Sequence, residues 1–317
     1  MPQPISHPLR FEPHLRPMPW GGRRLGRFLG KNLPGAETYG ESWEVSDHAL
    51  HASRLATASD FGVTLRELMT DHCRELLGSA ADRFAVFPWL IKWLDANDWL
   101  SVQVHPDDDA VQRLRPGESG KTEAWYILDA EPTSRIYAGL KPGVDAPQLR
   151  RCLPPHNDKP ITDCLHSFAP TPGDFVFIPA GTVHAMGGGI LIAEIQQTSD
   201  ATFRLFDWNR PRPLHVEESL ASIHWGQGPV EPISANDARS TLVRCPFFQV
   251  ERWSSNGSSS LGGRGEMQAL IVTHGHGRFD NGEFAAAGDV WVLPARMPAM
   301  ALHAAAPMRG LLCSLPE

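Results

Sequence analysis

The sequence predicts a mainly β protein made of two similar units with a small helical insertion. Three observations carry that expectation. Glycine and proline are frequent, 28 of each in 317 residues, so turns are many and long helices few. Most of the chain falls into short apolar or alternating runs bounded by turn residues. Finally, "GDFVFIPAGTVHA" (173–185) aligns without gaps to "GDVWVLPARMPAM" (288–300), and "EAWYILDAE" (123–131) resembles "QALIVTHGH" (268–276). The second copy carries Gln268 in place of Glu123 and Ala299 in place of His184. If Glu123 and His184 served only the fold, the second unit would have similar reason to keep them.

Residues 1–60 mix Pro, Gly and short apolar runs and read as strands and turns. From Thr64 to about Ala81 the period changes. Leu65, Leu68, Met69, Cys73, Leu76 and Leu77 recur at helical spacing, Thr64 with Glu67 fits a capping box, and Gly78 fits a C-terminal stop. His72 belongs on the surface of that helix. In "FPWLIKWLDANDWLSVQVHPDD" a buried strand and turn precede a strict alternation, with Leu100, Val102 and Val104 on one face and Ser101, Gln103 and His105 on the other. Asp107, Asp108 and Asp109 read as a solvated turn. "KTEAWYIL" begins another strand, with Lys121 and Glu123 on one face. Residues 141–167 are Pro-rich and loop-like with one short helix, and residues 170–206 return to strands. "GDFVFIPAGTVH" predicts a strand, a tight turn, and a second strand that begins near His184.

Composition narrows the function. The net charge of −7 argues against a nucleic-acid or anionic-membrane surface, while leaving room for a local basic pocket. No apolar run approaches the roughly 18 residues of a membrane span. The opening "MPQPISHPLRFEPHL" has no apolar core of a signal peptide. Cys73, Cys152, Cys164, Cys245 and Cys313 are scattered and odd in number, without a CxxC pair, so neither a disulfide framework nor a thiolate metal site is indicated. A cytoplasmic location is the simplest expectation.

Four residues then form a candidate constellation: Gln103, His105, Glu123 and His184. Two imidazoles and one or two side-chain oxygens suit a divalent metal, with positions left open for water or substrate. Their residue types alone leave a structural role for His184 equally open. Arg204 could be a surface arginine paired with Asp207, and Glu194 in "LIAEIQQ" could simply face a polar barrel interior. Gly187–Gly189 fit a tight turn or a close approach better than a phosphate cradle, since no helix start follows. His274 and His276 in "THGHG" lack a carboxylate and a partner histidine, and read as a loop. The ten tryptophans are mostly core, with Trp20 and Trp43 available to line a site.

The spacing Gly173-x5-Pro179-x-Gly181-x2-His184 resembles the second cupin motif, with Gly188 where that motif carries Asn. The first motif differs: Gln103-x-His105 replaces His-x-His, and Glu123 comes much later. That departure is the pattern of the type I mannose-6-phosphate isomerases, with their "QVHPDD", "KTE" and "PAGTVH" segments. The resemblance extends to "WGG" near Trp20, "GESWE" at 40–44 and "AEIQQTSDATFRLFDWNR" at 193–210, so it covers most of residues 10–215. It implies two cupin-type jelly-roll β-barrel units. A catalytic unit would span 1–235, with a helical segment near 64–82, and a degenerate unit without metal would span 236–317.

The resemblance further implies one Zn2+ per chain on His105, Glu123 and His184, with Gln103 as fourth ligand. It places the active-site arginine at Arg204, with Lys121 and Glu194 lining the pocket. The implied activity is interconversion of mannose 6-phosphate and fructose 6-phosphate, on a small sugar phosphate and with no nucleic-acid or membrane partner. Two other readings compete: a different metal-dependent cupin enzyme, such as an oxygenase, and a non-catalytic sugar-binding cupin. Gln103 in the place of a third histidine, and the presence of Lys121 and Arg204, count against the first. The selective loss of ligands in the second unit counts against the other.

Overall fold

The computed structural model describes residues 5–56, 62–155 and 159–316; the first four residues of the N-terminal segment and part of the 141–167 stretch therefore lie outside the described residues. The chain forms two jelly-roll units, each of two antiparallel sheets, as the repeat predicts.

In the first unit a six-stranded sheet runs in spatial order Phe175–Ile178, Glu123–Ala130, Ile190–Gln197, Trp89–Ala96, Tyr39–Val45, His14–Gly22. It faces a five-stranded sheet ordered Leu165–Phe168, Ile136–Leu140, His184–Met186, Val102–Val104, Phe203–Phe206. Trp20, Leu94, Trp125, Ile127, Ile136, Ile178, Met186 and Ile192 pack between them. The second unit pairs a six-stranded sheet with a four-stranded one, around Leu270, Phe279, Trp291, Leu293 and Leu302. Its large sheet ends on Leu9–Arg10, a strand borrowed from the start of the chain.

The two copies share register as well as sequence. Ile178 lies opposite Glu123 in the first unit, and Leu293 lies opposite Gln268 in the second, the same positions that the sequence alignment pairs. The corresponding strands Phe175–Ile178 and Val290–Leu293 are thus built alike.

The largest core cluster lies where the outer faces of the two six-stranded sheets meet. Strand Trp89–Ala96 shows why: it is buried on both faces. Trp89, Ile91 and Trp93 point to the junction, where Val250, Ile271, Val292 and Leu311 of the second unit meet them. The alternate residues Leu90, Lys92 and Leu94 point the other way. Trp93 Nε1 donates to the Gly288 carbonyl at 2.8 Å and Trp89 Nε1 to that of Phe247 at 3.0 Å, so both indoles are satisfied at the seam.

Helix Leu65–Leu77 covers one side of this junction, burying Leu65, Leu68, Met69, Leu76 and Leu77. Its capping box is complete: Thr64 accepts from the Glu67 backbone N–H, Glu67 accepts from that of Thr64, and Gly78 closes the far end. His72 departs from expectation, with φ −134° inside the helix and its ring tucked against Glu75 rather than on an exposed surface. The aspartates after His105 are also more than a turn. Asp107 caps helix Asp108–Leu114, accepting from the Ala110 N–H at 2.7 Å. No helix among the described residues is long and apolar enough to cross a membrane.

Candidate active site

Pleat and register deliver the site. On the six-stranded sheet Trp125, Glu194 and Lys92 stand directly opposite one another, so all three project from one face, with Glu123 two residues along from Trp125. On the facing sheet Gln103 lies between His184 and Arg204. The turn that presents His184 depends on Gly181, at φ +83°, where a Cβ would strike the His224 ring. The following glycine run allows close packing: a Cβ on Gly187 would meet the Arg135 carbonyl oxygen at 2.7 Å, and one on Gly188 that of Asn97 at 2.8 Å.

His105, Glu123 and His184 are buried, and their candidate ligand atoms lie within 4.8 Å of one another. Both imidazoles are oriented by a second contact. His105 Nδ1 donates to the Ala201 carbonyl and His184 Nδ1 to that of Thr182, each at 2.9 Å. Each Nε2 is therefore left as a lone pair directed at the cluster, the arrangement of metal-binding histidines. Burial lowers both pKa values, His105 to about 3 with help from Lys121, so both rings are neutral. Burial alone would raise the Glu123 carboxyl, but the Lys121 ammonium outweighs it and holds the group well below its ordinary value. The set thus comprises two neutral imidazoles and a carboxylate, which suits a divalent metal.

Lys121 Nζ lies 2.7 Å from Glu123 Oε2 and 2.9 Å from His105 Nε2, so a cation already rests against this donor set. The Gln103 amide nitrogen faces His184 Nε2 at 3.2 Å, while its oxygen accepts from the Ser101 hydroxyl at 3.0 Å. In this state Gln103 holds His184 through a hydrogen bond; offering its oxygen to a metal needs an amide flip.

Beyond the cluster lies a cavity of about 360 Å³, lined by Gln103, Lys121, Glu123, His184, Glu194 and Arg204. It lies in the size range of small-molecule sites. Every site residue expected from the sequence therefore converges here, His105 through its contacts with Lys121 and Glu123. The pairing with Asp207 expected of a surface arginine is not formed by Arg204. Asp207 is occupied by Arg210 and Arg212, while Arg204 turns to the cavity and donates to the Pro213 carbonyl at 2.9 Å. Trp20 lines the cavity, whereas Trp43 is buried at its margin under the Arg16 guanidinium.

Sequence reasoning missed Lys92, Glu41, Arg16, Arg115, Arg212 and His215, all in the lining. Lys92 had a visible signal: one ammonium inside "WLIKWL", at a position where a strand buried on both faces cannot leave it unpaired. It meets Glu194 Oε1 at 3.1 Å and Glu41 Oε1 at 4.0 Å. Glu194 is itself shifted. Burial, and then Glu123, push its carboxyl up to about 7 against the pull of Lys92 and Lys121. The second unit assembles nothing comparable. His274 and His276, expected in a loop, close and open consecutive strands on either side of Gly275, and the His105 group is the one metal-type cluster among the described residues.

Comparison with known proteins agrees with this geometry. The phosphomannose isomerase type I catalytic-domain family model matches residues 9–129, which hold Gln103, His105, Lys121 and Glu123. The chain is 36% identical to a mannose-6-phosphate isomerase of Streptococcus mutans, over 92% of this chain and 93% of that protein. It is 35% identical to the mannose-6-phosphate isomerase ManA of Bacillus subtilis, over 91% and 93%. A crystal structure of the mannose 6-phosphate isomerase from Bacillus subtilis superposes with a TM-score of 0.87 at 30% identity, covering 98% of this chain and all of that one.

Proposed function

The chain belongs to the type I phosphomannose isomerase family, an aldose–ketose isomerase family, and from that premise we propose that it interconverts mannose 6-phosphate and fructose 6-phosphate with zinc held by His105, Glu123, His184 and Gln103. The observation that carries this reading is the pair of Nδ1-anchored imidazoles aimed with Glu123 at one point beside a cavity of sugar size. The mixed nitrogen and oxygen donors favour zinc over calcium or magnesium. When bound, the metal supplies Lewis-acid polarisation of a substrate oxygen.

The chain's own residues account for the rest. Isomerisation moves a proton between adjacent carbons through an enediolate, so it needs a base whose affinity suits neutral pH. Glu194 is assigned that role: it faces the cavity, its Oε1 meets the Lys92 ammonium at 3.1 Å, and its carboxyl is poised near 7. It takes the proton from C2 of the open-chain aldose and returns it to C1, while the proton of the C2 hydroxyl passes to O1, so that the aldehyde becomes a hydroxyl and C2 the ketone carbonyl. Lys92 and Lys121, within 3.1 and 3.8 Å of Glu194 Oε1, are cations placed to stabilise negative charge that leaves the carboxylate for the substrate oxygens. Arg204 contributes a permanently charged fork for oxyanions. The buried walls, Trp20, Leu94, Leu100, Trp125 and Met186, limit water around the enediolate.

The test combines metal analysis with a coupled assay on mannose 6-phosphate. About one zinc per chain is expected, with activity lost on chelation and restored by zinc. His184→Ala should lose most of the metal, because a site with so few ligands has no spare donor. Stoichiometric zinc in folded His184→Ala would overturn the ligand assignment.

A further inference from the structure

Arg204 and His215 are built as one unit. The Arg204 backbone N–H donates to His215 Nδ1 at 3.2 Å, and the His215 backbone N–H returns to the Arg204 carbonyl at 2.8 Å. The guanidinium closes back on the same segment through Nη1 and the Pro213 carbonyl. A backbone N–H can only donate, so Nδ1 is the unprotonated ring nitrogen and the neutral ring carries its proton on Nε2. Nε2 has no protein partner among the described residues, although the ring lines the cavity. Phe203 holds it edge-to-face, with ring centroids 6.1 Å apart. Burial, and then the Arg204 charge, keep the ring's pKa below its ordinary value, so at neutral pH it is an uncharged donor.

The surrounding charge is distributed unevenly. Near the metal-type cluster the cations have carboxylate partners: Lys92 and Lys121 face Glu194 and Glu123. Arg212 is taken up by Asp207 at 2.6 Å. Arg204 and Arg115 are different. Their side chains meet only carbonyl oxygens, those of Pro213 and Asp200, and the Arg204 Nε is buried without a partner. Carbonyls satisfy N–H groups without cancelling charge. Asp207 is felt by Arg204 and Glu218 by His215, but with Arg115, Arg204 and Arg212 together the end of the cavity formed by strand Phe203–Phe206 and residues 213–215 keeps an excess of positive charge in a partly desolvated place.

We infer that His215 is a substrate-binding residue of this pocket: its Nε2–H donates to a phosphate oxygen of the sugar phosphate, beside the Arg204 guanidinium, so that one strapped unit holds the oxyanion. The inference rests on the sugar-phosphate reading above. It gives His215 a role in specificity, because its hydrogen bond to a charged phosphate oxygen is stronger than one to the neutral hydroxyl of an unphosphorylated sugar. Holding the phosphate here also sets the register of the sugar, bringing the far end of the open chain toward Glu194.

The test uses the zinc-loaded enzyme, with mannose 6-phosphate as substrate and inorganic phosphate as a competing probe. In His215→Ala, KM and the inhibition constant for inorganic phosphate should both rise about tenfold, the scale of one hydrogen bond to a charged group. The loss should fall on KM rather than kcat. His215→Gln, whose amide can accept from Arg204 N–H or donate to phosphate, should recover part of the affinity, which a merely structural role would not predict. In the wild-type protein, acylation of His215 by diethylpyrocarbonate, followed by peptide mass spectrometry, should be slowed by inorganic phosphate; that measurement does not depend on a variant folding. Unchanged phosphate inhibition in folded, zinc-loaded His215→Ala, a loss confined to kcat, or acylation indifferent to phosphate would each overturn the inference. A wild-type enzyme without activity on mannose 6-phosphate would instead overturn the reading on which it rests.

Discussion

Glu194 shows how a residue's neighbours set its chemistry. On a solvated face it would be an ordinary carboxylate; between Glu123 and two lysines, fully enclosed, it is poised near 7. The sign of the pH effect follows. A base must be deprotonated to act, and its pKa is raised, so activity should be lost as pH falls through about 7. A bound dication next to Glu123 adds positive charge and can only move that limb to lower pH. The log of kcat against pH should therefore show one ascending limb at or below about 7. Glu194→Gln, similar in shape but unable to accept the proton, should lose at least about a hundredfold in kcat while keeping its zinc. A Glu194→Gln enzyme with near-normal turnover would remove it from the mechanism.

At the scale of elements, local signals are strongest where the chain satisfies itself. Helix Leu65–Leu77 was legible because its capping box, apolar period and closing glycine are all contained in one short stretch; the expected segment ran on to about 82, where a separate 3-10 turn, Ser79–Arg83, follows Gly78. Thr64→Ala removes the side-chain oxygen that accepts the Glu67 N–H and should cost about 1 kcal/mol, a drop of roughly 2 °C in Tm, which Thr64→Ser should largely restore. An unchanged Tm in scanning calorimetry would mean that tertiary packing alone holds the helix start. Strands were legible as strands, through alternation, and their inward faces followed from the pleat. The helix at Asp108–Leu114 was missed because three consecutive aspartates read as solvated turn chemistry. Only Asp107 caps; Asp108 and Asp109 sit in the first turn, where the helix dipole favours negative charge.

The whole molecule is held by the junction between the two six-stranded sheets, and this gives the second unit a structural purpose. Trp89, Ile91 and Trp93 bury one face of the strand that carries Lys92 on the other, so the second unit supports the floor of the active site from behind. A chain ended after residue 235 exposes that face and leaves strand Leu9–Arg10 without Val290–Leu293. It should bind the dye ANS strongly, lose cooperative unfolding and turn over no substrate. A monodisperse, dye-silent fragment with normal activity would show that the junction is dispensable.

By itself the sequence determined the two-unit β architecture, the helix and its caps, and the ligand-type residues Gln103, His105, Glu123 and His184. These are properties of period, spacing and residue type; the repeat marks Glu123 and His184, replaced by Gln268 and Ala299 in the second copy, while Gln103 and His105 follow from strand alternation and the family resemblance. The tertiary structure alone decided which polar side chains share an enclosure. Lys92, Glu41 and His215 come from separate strands and loops; Glu41 and His215 look ordinary in their own stretches of chain, and the lone ammonium of Lys92 in an apolar strand calls for a partner without saying which. Their roles arise from desolvation and from charges brought within a few ångströms across the sheets. Those interactions depend on distance in space, and strand order and register set that distance, which no local window of sequence contains.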